Sequence, residues 1–253
     1  MNKLREKKPI LHAVMWIIFY IVMVNIGDGL SELTGVANLV TSVVLIVFSI
    51  ILVLYLKKNN CFETYGIKGI TKKDLRMTLF YVPLIMLAFI QYFAGIDKTL
   101  SMTAIATSCL LMIGVGFIEE LIFRGFLFQG IYVKSGANRA ILISGITFGI
   151  GHIVNLLRGY TLMEQMGQII VAIGIGIALA LLVAITKNIV PGILFHIVFN
   201  ISGTITKAES NLQIYLMIAI LSISAFYAIY LFRFVHSKEK KKNKCQAPKL
   251  SSY

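Results

Sequence analysis

The chain has 253 residues, 58% of them apolar, with a mean hydropathy of +0.84 and a formal net charge of +13. This composition lies outside the range of soluble globular chains and marks an integral membrane protein. It also excludes a nucleic-acid-binding reading of the charge, because the basic residues are scattered among short loops and a tail and form no face on a soluble domain.

Taken in chain order, apolar runs near the roughly 20 residues a spanning helix needs predict about eight helices. They cover 10–26, 36–56, 77–95, 102–128, 140–157, 165–186, 190–205 and 212–232. The seventh is short and polar in its second half, so it is expected to span only in part. The predicted fold class is all-α: a polytopic membrane protein, a bundle of about eight transmembrane helices around an intramembrane cavity. Residues 1–9 form a basic cytoplasmic N-terminus, 10–235 a single transmembrane domain with its motif-bearing core at 114–202, and 236–253 a basic tail. The lysine-rich stretch Lys238 to Lys244 has the composition of a disordered segment lying on anionic headgroups. The longest loop, Lys57 to Arg76, is too short for a soluble domain.

Charge predicts the orientation, since Lys and Arg in short loops collect on the cytoplasmic side. Lys3, Arg5, Lys7 and Lys8 precede the first run, and Lys57, Lys58, Lys68, Lys72, Lys73 and Arg76 follow the second. Lys134 and Arg139 follow the fourth, Lys187 the sixth and the lysine-rich tail the eighth, whereas the opposite loops carry Lys98, Arg158 and Lys207. Both termini are therefore expected in the cytoplasm. The first run ends in Gly27-Asp28-Gly29 without a small-x-small cleavage pattern, so it reads as a retained helix and not as a signal peptide. Short loops and the lack of targeting signals point to the plasma membrane of a bacterium. Cys61, Cys109 and Cys245 give neither an even framework nor a metal-type spacing, and no disulfide is expected.

The fourth run holds Glu119, Glu120 and Arg124 in GFIEELIFRGFLF. A charged side chain near the middle of a spanning helix costs roughly 2.5 to 3.5 kcal/mol on insertion scales, so three together read as a functional site. Glu120 and Arg124 are four apart and share a face, while Glu119 points about 100° away. Glu120 is expected to pair with Arg124 and offset the burial of both charges, leaving Glu119 to face a cavity. The plainer alternative, a structural ion pair beside an idle Glu119, would leave a costly unpaired acid at depth.

In the fifth run Gly145, Phe148, Gly149 and His152 fall on one stripe, which predicts a close approach by a neighbouring helix. In the seventh, Pro191 suits a first turn and His196 and Asn200 project side by side. Taken alone, either set could be polar packing between helices. Measured from the cytoplasmic ends, however, Glu119, His152, His196 and Asn200 lie roughly 15, 18, 14 and 20 Å deep. Of the four histidines, His12 and His236 fall at membrane edges, so the two at depth are the two level with Glu119.

A carboxylate, two imidazoles and a carboxamide in a dry chamber suit hydrolysis. The carboxylate can take a proton from water, the imidazoles can orient that water or hold a metal, and the amide can donate to an oxyanion. Two His and one Glu with an open position also form a known zinc set, so His152, His196 and Glu119 are the candidate ligands if a zinc is bound.

The ordered trio Glu-Glu-x-x-x-Arg (Glu119, Glu120, Arg124), Phe-x-x-x-His (Phe148, His152) and His-x-x-x-Asn (His196, Asn200) resembles the CPBP family. That family contains the type II CAAX prenyl endopeptidases and the bacteriocin-processing or immunity proteins called Abi. The resemblance covers about Gly114 to Ser202 and implies an intramembrane endopeptidase in which Glu119 activates water. It further implies that His152, His196 and Asn200 polarise water and hold the oxyanion, with Glu120, Arg124 and Phe148 in support. Both zinc-dependent and metal-free mechanisms are argued for the family, and the sequence leaves both open. The implied partners are a peptide or membrane-protein substrate and the lipid bilayer. Two rivals stand beside this reading: a non-catalytic bacteriocin self-immunity protein, and a transporter using the same groups as a proton relay.

Overall fold

The computed structural model describes residues 2–69, 80–158, 161–207 and 210–246. Among them all regular structure is helical, apart from one isolated antiparallel bridge between Ile96 and Thr206. A short helix α1 (Asn2–Lys7) leads into α2 (Pro9–Thr34) and α3 (Leu39–Lys58). Helix α4 (Val82–Phe89) continues as a 3-10 turn over Ile90–Ala94. Helix α5 (Met102–Glu120) runs through a π-helical segment, Leu121–Leu127, into α6 (Phe128–Gly151), which closes in a 3-10 turn at His152–Arg158. Helices α7 (Leu162–Thr186), α8 (Val190–Ile205) and α9 (Ser210–Gln246) follow.

The helix ends follow from local chemistry. Prolines occupy the first turn of α2, α4 and α8, where the missing N–H has no helical partner to lose. Ser101 caps α5 by accepting the Ala104 N–H.

Among the described residues five helical runs are long and apolar enough to cross a membrane, and one of them is the continuous stretch Met102–Leu156. That stretch turns back at Gly136, whose φ of 80° and ψ of 177° are open to glycine and costly for any residue with a Cβ. It therefore supplies both the fourth and the fifth predicted spans. Val82–Ala94 and Val190–Ile205 are the shorter third and seventh. Residues 77–79, predicted to open the third span, lie outside the described residues. The fourth span overruns its predicted end at Phe128 because no residue before Gly136 forces the chain out of helix. The last helix likewise runs on to Gln246, past the predicted end of the eighth span at 232, since lysine and glutamate are good helix formers.

Neighbour contacts run α2, α3, α5, α8, α4, α9, α7, α6 and back to α2, closing a ring of the eight long helices. The π segment touches α2, α6 and α7, and all seven of its residues are buried. Two contacts fix the helices around it. A Cβ on Gly145 or Gly149 would stand 2.8 Å from the backbone nitrogen of Ile177 or Ile173, so α6 and α7 meet at a separation only glycine permits. Gln91, after α4, donates to the Phe199 carbonyl at 2.8 Å and to the Ser202 hydroxyl at 3.0 Å, tying α4 to the upper half of α8.

Candidate active site

The two glutamates end α5, and the π segment begins at the next residue. A π turn shifts the side chains that follow it relative to an α-helix, and such turns collect at functional positions. Here the Phe128 N–H bonds to the Phe123 carbonyl, five residues back, and the Ser144 hydroxyl of α6 donates to the same oxygen at 2.8 Å. The segment is thus pinned to α6 beside the fully buried Arg124.

Arg124 Nη1 lies 2.9 Å from Glu120 Oε1, with both side chains fully buried. The predicted i, i+4 pair is therefore formed. Arg124 also donates through Nη2 to the Gly176 carbonyl of α7 at 3.3 Å, and its guanidinium carbon sits 4.2 Å above the centre of the Phe148 ring. Carboxylate, carbonyl and aromatic face together offset part of the hydration this cation gives up, while Nε and Nη1 have no hydrogen-bond acceptor of good geometry.

The division of labour between the glutamates is less sharp than their 100° separation implies. His196 of α8 joins them: its Nδ1 lies 3.2 Å from Glu120 Oε1 and its Nε2 lies 3.4 Å from Glu119 Oε2. The physical reason is the ring itself, whose two nitrogens point outward in different directions and can meet carboxylates on diverging faces. Nδ1 hydrogen-bonds with Glu120, while Nε2 only approaches Glu119 Oε2, which is left without a hydrogen-bond donor. Glu120 Oε2 has no hydrogen-bond donor and lies beside Gly192, where a Cβ would stand 3.1 Å from that oxygen.

Phe148 carries the second motif into the site. Its ring meets His152 edge-on at 5.1 Å and His196 edge-on at 5.6 Å, so one aromatic ring separates and orients both imidazoles. His152 Nδ1 lies 3.1 Å from the Phe148 carbonyl. A carbonyl only accepts, so Nδ1 carries the proton, which leaves Nε2 of a neutral ring as an acceptor. Asn200 is half-buried one turn beyond His196, and its carboxamide hydrogen-bonds to none of these side chains.

Two groups at the site were not singled out in the sequence. The Tyr20 hydroxyl of α2 donates to Glu119 Oε1 at 2.8 Å, and Gly176 supplies the carbonyl under Arg124. Tyr20 lies roughly 16 Å along α2 from Pro9, so applying the depth rule to hydroxyls as well as to ionisable groups would have found it. The carbonyl of Gly176 carries no sequence signal. His12 proves to be buried beside Trp16 and Tyr55, bonded to both, in an aromatic cluster of its own.

The ligand set for a metal does not fit as arranged. Among the described residues no three His, Cys, Asp or Glu side chains converge as a metal site. Of the expected trio of His152, His196 and Glu119, His196 Nε2 lies 3.4 Å from Glu119 Oε2, and the three side chains do not group together as a metal site. Two apolar clefts lie elsewhere, a larger one of about 390 Å³ between α3, α5 and α8, and one between α4 and α8. The residues lining them include none of the motif side chains.

An all-helical, multi-pass membrane protein with a buried cluster of two carboxylates, one guanidinium and two imidazoles is the class that fold and site define. Residues 101–202 match the model of a peptidase family described as type II CAAX prenyl endopeptidase Rce1-like. This is the family grouping that the three motifs resemble, and the match contains every motif residue. No curated protein and no solved structure matches the chain.

Proposed function

We propose that this protein is an intramembrane endopeptidase that hydrolyses a peptide bond of a membrane-associated peptide or protein with water activated by Glu119. The observation that carries the reading is the approach of Glu119 Oε2 to His196 Nε2 at 3.4 Å, deep in an otherwise apolar bundle. That oxygen has no hydrogen-bond donor of its own, which leaves it free to take a proton from water. A water molecule bound beside Glu119 and either imidazole would lose its proton to Oε2 while its oxygen attacks the scissile carbonyl carbon. The proton then passes to the leaving amine as the carbon–nitrogen bond breaks. In this reading His152 Nε2 and the Asn200 amide hold water and the developing oxyanion. Glu120, Arg124 and Phe148 keep His196 in register.

We further propose that the protein lies in a bacterial plasma membrane with both termini in the cytoplasm, as the distribution of Lys and Arg supports. The substrate would then enter laterally or from the cytoplasmic face. Should a metal take part, Glu119, His152 and His196 would be its ligands, and the His196 Nδ1 contact with Glu120 is of the kind that orients a metal-bound imidazole.

The deciding experiment incubates purified protein with a panel of membrane-associated peptides, with and without chelator, beside Glu119→Gln. Cleavage by wild type and none by the variant supports the endopeptidase. Bacteriocin protection that survives Glu119→Gln with no cleavage supports a binding-only immunity protein instead, and proton or ion flux into liposomes supports a transporter.

A further inference from the structure

The Tyr20 phenol of α2 reaches the site from outside the stretch that the family match covers. Tyr20 is 9% exposed, and its hydroxyl donates to Glu119 Oε1 at 2.8 Å. We propose that Tyr20 is a positioning residue: its phenol holds one oxygen of Glu119 so that the other faces His196. This rests on the endopeptidase reading above.

A glutamate has three rotatable side-chain bonds, and a carboxylate has two equivalent oxygens. The groups facing Glu119 pull it in different directions. His196 of α8 attracts Oε2, and Arg124 attracts the carboxylate as a whole while being paired with Glu120. Left to those two, the Glu119 carboxylate can swing toward the guanidinium and crowd the Glu120 pair. A donor on the far side, from α2, stops that rotation. With Oε1 held by Tyr20, Oε2 is the oxygen that remains for water, 3.4 Å from His196 Nε2. The phenol suits the task because its ring buries among α2 and its neighbours while only the hydroxyl reaches the acid.

The test pairs kinetics with melting in detergent for four proteins: wild type, Tyr20→Phe, Glu119→Ala and the double variant. Tyr20→Phe keeps the ring and deletes the donor. We expect kcat on a cleaved peptide to fall about 10- to 100-fold with KM little changed, the scale of a misplaced reacting group. We also expect Tyr20→Phe to lower Tm by at least about 2 °C in the wild-type background and not at all in Glu119→Ala. Additive melting shifts overturn the contact. Coupled melting with unchanged kcat overturns the positioning role. A wild type that cleaves nothing while the melting cycle stays coupled overturns the endopeptidase reading and leaves the contact standing, so the two failures are told apart.

Discussion

His196 Nδ1 lies 3.2 Å from Glu120 Oε1, so an imidazole of α8 is bonded to the α5 acid that neutralises Arg124 of the π segment. This makes Glu120 more than a counter-ion. It fixes which way the ring presents Nε2 to Glu119, and through Arg124 it anchors the cluster to the Gly176 carbonyl and the Phe148 face. A cluster built this way has separable parts, and substitutions should separate them.

Glu120→Ala is expected to cost about 3–5 kcal/mol of stability, because it leaves a fully buried guanidinium without its carboxylate. Thermal unfolding in detergent measures it. Arg124→Ala should cost a similar amount, since the carboxylate is then the orphan. An exposed-residue-sized loss in either variant would mean that water reaches the pair.

Glu119→Gln behaves differently. The amide can still accept from Tyr20, so Tm should move far less than in Glu120→Ala, while peptide cleavage falls by at least about 100-fold. Parallel melting and cleavage assays give the comparison, and equal loss of stability in both variants would erase the distinction between the two acids.

Among the described residues no three His, Cys, Asp or Glu side chains converge as a metal site. Chelation is therefore expected to leave cleavage unchanged. A loss that zinc alone restores would show that the site rearranges around a metal.

Gly149→Ala should destabilise by about 1–3 kcal/mol through overpacking, since the new methyl would lie 2.8 Å from the Ile173 backbone nitrogen. Gly192→Ala tests a subtler contact, placing a methyl 3.1 Å from Glu120 Oε2. We expect it to reduce kcat more than Tm, by pushing that carboxylate and, with it, His196.

At the far end of the bundle the exposed Asp97 carboxyl is held below its ordinary range, first by the Thr99 hydroxyl, then by the Thr99 N–H, with Lys207 adding to them. A depressed carboxylate contributes stability that is complete above its ordinary value of 3.8 and is lost as pH falls through the lower, folded one. The Asp97 N–H to Ile205 carbonyl bond joins this loop to α8. Asp97→Asn should therefore flatten the fall of Tm with acidification below about pH 4, by a small amount because the group is exposed.

Much of this was legible in the chain. Hydropathy alone marks the spans, because a backbone in lipid must close its hydrogen bonds within a helix, and helices there need long apolar runs. Helical periodicity alone predicts the Glu120–Arg124 pair and the glycine stripe of α6, since both depend only on residues in the same helix. What depends on relations between helices was decided by the tertiary structure. Tyr20 reaches Glu119 across 99 positions of chain, and one ring bridges two acids that point apart on their own helix. A helix's own period says where its side chains point, but only the packing of the ring of helices says what they meet.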